Sequence, residues 1–170
     1  DYINGKFIKP EGPDGQLSNH SPADLSELVI EVPYKFSHVD QACEAAYKAF
    51  KEWSHQDIGA RIVLLKKFQT IMEENKARIA EVISRETGKP TWESLTEVSA
   101  MINKIPITID QSLKLIEEQT IENALPGVVG KVRFKPRGVM TVVGPFNFPG
   151  HLANGHIVPA LLTGNTVIFK

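Results

Sequence analysis

A single cysteine, Cys43, stands in 170 residues. No internal disulfide can form, and a reducing compartment is the natural setting. No apolar run approaches the roughly 18 residues of a membrane-spanning helix. The longest, Val139–Val143 and Thr166–Phe169, are the length of strands, so no membrane partner is expected. Neither sign of charge dominates. With 19 basic and 20 acidic residues the formal net charge is -1, which exerts no long-range pull on a polyanion and argues against a nucleic-acid partner. The five histidines lack metal-ligand spacing: His151 and His156 fall about 140° apart on a helix, whereas a zinc pair wants i, i+4. No metal is expected. No Gly-x-Gly-x-x-Gly run is present, so the phosphate loop of a standard dinucleotide fold is missing. There is no secretory signal, no internal repeat and no low-complexity tract. The chain opens on Asp1 rather than Met, so its natural start is expected to lie elsewhere, and a cytoplasmic location is expected.

What is present is ordinary globular composition, 42% hydrophobic and 23% charged. Tyr2–Lys9 reads as a short strand turned at Asn4-Gly5, Pro10–Asn19 as a loop, and Leu28–Val32 as another strand. The period then becomes helical. Ala42, Ala45, Ala46, Ala49 and Phe50 mark a first helix that buries or half-buries Cys43. Asp57 is a plausible N-cap for a second, with Ile58, Ile62, Leu65 and Met72 inward. A third runs from about Lys76 to Thr87, with Ile79, Val82 and Ile83 inward. Gly88 closes it as a left-handed cap, and Pro90 opens the next helix as a first-turn residue. That fourth helix carries Leu95, Val98, Ile102, Ile105, Ile109, Leu113 and Ile116 on one face, with Pro106 a kink point inside it. Pro126-Gly127 is a turn, and Val128–Lys135 is an exposed strand.

The last third carries the chemistry. Val139–Val143 and Thr166–Phe169 are compact apolar strands, with a helix from His151 to Thr163 between them. This strand-helix-strand unit implies parallel strands and a right-handed crossover. Ligands bind beyond the carboxyl ends of such strands. Asn147 lies just past one end and Lys170 just past the other, so both are expected to open into one crevice, faced by the positive N-terminus of the helix. The loop Gly144-Pro145-Phe146-Asn147-Phe148-Pro149-Gly150 is stiff. It can hold one neutral amide donor in a fixed direction, which is what a developing oxyanion needs. Taken alone these features are weak: an Asn in a Pro-rich loop is ordinarily a turn former, and a Lys at a strand end is ordinarily a solvated charge.

Three ordered motifs resemble the aldehyde dehydrogenase superfamily: Arg85-Glu86-Thr87-Gly88-Lys89-Pro90, Val143-Gly144-Pro145-Phe146-Asn147-Phe148-Pro149, and Pro159 through Lys170. The segments Gly150-His151-Leu152, Asn154–Leu161, Thr96-Glu97-Val98 and Ala100–Ile105 resemble the branch that oxidises a succinylated amino-acid aldehyde. The resemblance implies an α/β fold: a β-ribbon and four helices, then the first βαβ unit of a parallel Rossmann-like sheet. It divides the chain into residues 1–126 (ribbon and helical part of the cofactor-binding domain), 127–136 (a strand of an oligomerisation arm) and 137–170 (the βαβ unit). It implies that Asn147 donates to the oxyanion of a thiohemiacetal. Val143, Gly144, Pro145 and Phe146 would flank the nicotinamide of NAD, with NADP equally open, and Lys170 would bind the adenosine ribose. Many members have Trp where this chain has Phe146, so an indole donor is lost. Leu152 and Gly155 would line the substrate tunnel, Gly155 leaving room for a large aldehyde. His156 is a further substrate candidate, against its ordinary reading as a wall or core histidine, and Lys104 is a candidate partner for a substrate carboxylate.

The resemblance also places the family's nucleophilic cysteine and general-base glutamate beyond Lys170. Cys43 has no basic neighbour in sequence to activate it and is no substitute. The polypeptide to Lys170 is therefore expected to be inactive alone, and the full enzyme to be a homodimer or a dimer of dimers. The competing reading is a non-enzymatic module that keeps partial nucleotide binding or a role in oligomerisation.

Overall fold

The computed structural model describes Asp1–Lys170. β1 (Tyr2–Ile3) and β2 (Lys6–Phe7) form the expected hairpin. Asn4 and Gly5 both take positive φ, 50° and 76°, the requirement of a tight two-residue turn. A second antiparallel ribbon pairs β3 (Gly15–Ser21) with β4 (Asp24–Tyr34). Gly15–Asn19 was expected to be loop. Its residues are mostly polar and exposed, so no alternation marks the strand; only its partner defines it. Leu28–Val32 is the middle of β4.

Four helices follow: α1 (Ser37–Trp53), α2 (Ile58–Glu74), α3 (Lys76–Thr87) and α4 (Thr91–Asp110). Asp57 caps α2, its Oδ1 accepting the Gly59 N–H at 2.7 Å. Gly88 ends α3 at φ 74°. Pro90 lies just before α4 rather than in its first turn; it is extended, and its carbonyl accepts from Glu93 and Ser94. Arg61, Leu65 and Met72 are the buried positions of α2, and Ala80 and Ile83 those of α3. Ile58 and Val82 therefore fall outside the inward stripes and are exposed. Cys43 is exposed as well, flanked by the half-buried Ala42, Ala45 and Ala46.

α4 runs through Pro106 but closes at Asp110. Leu113 and Ile116, expected on its stripe, lie in a 3₁₀ turn over Ser112–Ile116. A strand absent from the sequence reading follows. β5 (Gln119–Leu125) pairs antiparallel with β6 (Val128–Val132) about Pro126-Gly127. Every residue of β5 is exposed, so no buried face imprints a period on it.

One core unites α2 to α4 with the last helix, α5 (His151–Leu162): Leu65, Met72, Ala80, Ile83, Val98, Ile102, Ile105, Val158 and Leu162 form a single buried cluster. β7 (Val139–Val142) and β8 (Thr166–Phe169) pair in parallel on either side of α5 in the chain, the crossover read from the sequence. α1 and α5 both pack on this pair. Thr166 Oγ1 donates to the Ala46 carbonyl at 2.9 Å, and Trp53 Nε1 to that of Leu161 at 3.0 Å. Asn165 ties the start of β7 to the end of α5. Its Oδ1 accepts from Arg137 N (2.6 Å) and Gly138 N (3.0 Å), while its Nδ2 donates to Thr163 Oγ1 (2.9 Å). No helix is long and apolar enough to cross a membrane.

Candidate active-site wall

The β7–β8 register runs from Val139↔Thr166 to Val142↔Phe169. The ladder continues past both strands: Lys170 N donates to Val142 O at 3.0 Å and Gly144 N to Lys170 O at 2.8 Å. Gly144 and Lys170 are thus immediate neighbours at the carboxyl edge. A Cβ on Gly144 would lie 3.3 Å from Phe169 Cε2, so this close backbone approach favours glycine. Val143 and Phe146 project from the same edge, 70% and 91% exposed.

The loop after Gly144 is held from behind. Glu97, on α4, has a side chain with no exposure to solvent. Its Oε1 accepts the N–H of Gly150 at 3.0 Å and of His151 at 3.1 Å, and its Oε2 meets Lys89 Nζ at 2.5 Å. The same ammonium sits 3.7 Å from the centroid of the Phe148 ring. The start of α5 is therefore not an open anion site, as the sequence reading expected. A carboxylate already takes two of the donors at the helix start that a phosphate would use. A sequence signal for Glu97 existed: it falls on the inward face of α4, beside Ser94, Val98 and Met101. Its backbone partners Gly150 and His151, more than fifty residues away, left none.

Asn147 is exposed. With Phe146 and Pro149 it lines a depression of about 440 Å³ whose other walls are Asn19, Pro22, Glu86, Thr87 and Lys89. Lys170 is not among them. The strands are parallel, as expected, and the depression beside Asn147 is walled by residues of the β3–β4 ribbon and of the end of α3.

The sequence pattern of the aldehyde dehydrogenase family matches residues 7–170. The chain belongs to that family. It is 46% identical over 169 residues to N-succinylglutamate 5-semialdehyde dehydrogenase of Enterobacter sp. (strain 638) and 51% identical to that of Shigella boydii serotype 18, covering 99% of this chain in each case and 33% and 34% of the relatives. The chain thus spans about a third of the length of the curated relatives it matches. Among solved structures, the NADP-dependent glyceraldehyde-3-phosphate dehydrogenase of Bacillus halodurans C-125, complexed with NADP, superposes with a TM-score of 0.90 at 32% identity. An NAD-dependent benzaldehyde dehydrogenase of Corynebacterium glutamicum does so with 0.88 at 26%. Each match covers 99% of this chain and 36% of the other.

In this family member α5 turns two faces. Ala153, Asn154, Val158 and Leu162 are buried, and Asn154 Nδ2 donates to the Met101 carbonyl at 2.9 Å. Leu152 and His156, four apart, are exposed on the other side, with Gly155 between them. A Cβ placed on Gly155 would meet nothing within 4 Å, so this side is open. His151 is half-buried and its Nδ1 has no hydrogen-bond partner. Lys104 is half-buried on α4. No group of three or more His, Cys, Asp or Glu side chains converges.

Proposed function

We propose that the chain forms the cofactor-side wall of an enzyme that oxidises N-succinylglutamate 5-semialdehyde to N-succinylglutamate, with NAD as the oxidant. The observation that carries this reading is the 46–51% identity, over 99% of the chain, to relatives bearing that activity in their names. NADP stays open, since the neighbouring structures include dehydrogenases named for either cofactor.

The edge of β7–β8 fits a nicotinamide dinucleotide. Val143 and Phe146 offer apolar surface, Gly144 and Pro145 offer backbone at close approach, and Lys170 offers a cationic donor suited to ribose hydroxyls. When bound, the dinucleotide supplies a hydride acceptor. Asn147 supplies a neutral donor at fixed orientation. In the reaction its amide would hydrogen-bond the oxygen of the aldehyde as that oxygen gains negative charge, and losing such a donor costs about 3 kcal/mol of barrier. Leu152, Gly155 and His156 would face the substrate, with the bare Gly155 making room for the succinyl-amino-acid body. The β5–β6 ribbon is the candidate arm for a homodimer or a dimer of dimers, and the cytoplasm is the proposed site of action.

The test is steady-state turnover of the whole enzyme with succinylglutamate semialdehyde and with short aliphatic aldehydes. The expected result is a clear preference in kcat/KM for the succinylated substrate. Equal or better turnover of the short aldehydes removes the substrate assignment.

A further inference from the structure

Behind the loop lies a pair of opposite charges with little or no solvent exposure, Glu97 fully covered and Lys89 reaching the wall of the depression beside Asn147. We propose that Lys89 and Glu97 are positioning residues for the Asn147 amide, acting on the chemical step through the loop. This rests on the reading of Asn147 as the oxyanion donor.

The argument begins with what the start of α5 lacks. Its N-cap residue is Gly150, with no side chain to satisfy the first-turn donors. A Cβ there would fall 2.6 Å from Met101 Sδ, so a larger residue would require the Met101 side chain to shift. The acceptor therefore comes from another helix. Glu97 takes the N–H of Gly150 and of His151 on one oxygen and Lys89 on the other. Lys89 in turn presses its ammonium on the Phe148 ring, a contact that strengthens on desolvation. Asn147 is thus bracketed. The ring next to it is held in the middle of the loop, and two backbone groups are held at the loop's end. Neither bond uses the Asn147 amide, which stays available to donate.

Stability alone does not call for such a pair, since well-packed apolar residues often serve as well as a buried ion pair. An apolar replacement could not accept two N–H groups in fixed directions. A donor that must meet a developing charge is sensitive to placement: a displacement of about 1 Å costs on the order of a hundredfold in rate.

The experiment is a double-mutant cycle in the whole enzyme. Glu97→Gln, and the doubly neutral Lys89→Met/Glu97→Gln, are each made with Asn147 intact and with Asn147→Ala. In the Asn147 background kcat should fall about tenfold to a hundredfold, with NAD affinity changed less than about twofold on that same positioning argument. In the Asn147→Ala background the same changes should cost almost nothing further, because the group they position is gone. A purely structural role would shift NAD affinity and would cost the same factor in both backgrounds; that result overturns the proposal. If Asn147→Ala leaves kcat unchanged, the oxyanion reading itself fails. Should the charge variants not fold, Phe148→Leu carries the test, because it removes only the ring beneath the ammonium: lowered kcat at constant NAD affinity supports the pair, and unchanged kcat refutes it.

Discussion

Replacing Asn165 with Ala should loosen the parallel strand pair as a unit. The side chain is 8% exposed and makes its bonds on both sides of α5. Truncation leaves the N–H groups of Arg137 and Gly138 without their acceptor and Thr163 Oγ1 without its donor. A buried group left unpaired costs about 1–3 kcal/mol. Arg137 is exposed and Gly138 half-buried, so water compensates in part and the low end applies to each. The sum is about 2–3 kcal/mol, equivalent to roughly a thirtyfold to hundredfold rise in the open population at 1.4 kcal/mol per decade. Amide hydrogen exchange of the whole enzyme reads this directly. The informative amides are those of Gly144 and Lys170, at the far end of the strands from Asn165 and bonded across the pair. They should exchange faster by about that factor. Acceleration confined to Arg137 and Gly138, with Gly144 and Lys170 unchanged, would refute the view that Asn165 secures the pair on which the candidate site stands.

Gly164→Ala should lower the melting temperature, because its φ of 85° is strained for any side chain and its Cβ would fall 2.9 Å from both Arg61 Nη1 and Pro136 Cγ; the cost is at least about 1 kcal/mol, readable by calorimetry. Gly155→Leu should leave the melting temperature unchanged, since the position is open, while raising KM for the succinylated aldehyde more than for acetaldehyde; parallel changes for both would remove Gly155 from the substrate wall. Hydrogen bonds from Lys131 and then Arg133 hold the Glu118 carboxyl below its ordinary value, so carbon-detected NMR should find its midpoint below that of an unpaired glutamate. The sign follows: the depressed group favours the paired ribbon above the ordinary value, and that contribution disappears as pH falls through the lowered one. At neutral pH that contribution is fully present.

The features legible in the sequence are those that one or two residues decide locally. Asp57 caps α2 because a carboxylate before an apolar run finds a free N–H two residues on. Gly88 ends α3 because it alone takes the left-handed turn cheaply. The βαβ unit was legible because strands with little polar sequence, separated by one helix, have few other arrangements. β3 and β5 were not: β3 is mostly polar, with only Ser21 buried, β5 is exposed along its whole length, and their partners supply the definition. The end of α4 was misread because Leu113 and Ile116 keep the helical spacing without a helix beneath them. The Pro-rich loop declared Asn147, but its depression is walled by Asn19 and Pro22 from the far ribbon and by Glu86 and Thr87 from the end of α3, positions that no local pattern joins to residue 147.

The missing glycine motif and the buried Glu97 have a common consequence. In a standard dinucleotide fold the first helix after the first strand offers its N-terminus to the pyrophosphate. Here the equivalent donors of Gly150 and His151 are already spent on a carboxylate. That carboxylate collects the stabilisation a helix end gives an anion, about 1 kcal/mol or less at an exposed end and more when partly buried. Lys89, 2.5 Å away, makes the pair neutral. A phosphate reaching this end would find the Gly150 and His151 donors occupied and no net charge to draw it. Displacing Glu97 would strand a carboxylate and an ammonium away from water, at about 3–5 kcal/mol for a broken buried pair. That exceeds what the helix end could return. On the proposed reading a dinucleotide meets this chain at the β7–β8 edge, where Gly144 and Lys170 lie side by side, while the start of α5 is engaged by Glu97 and fixes the loop.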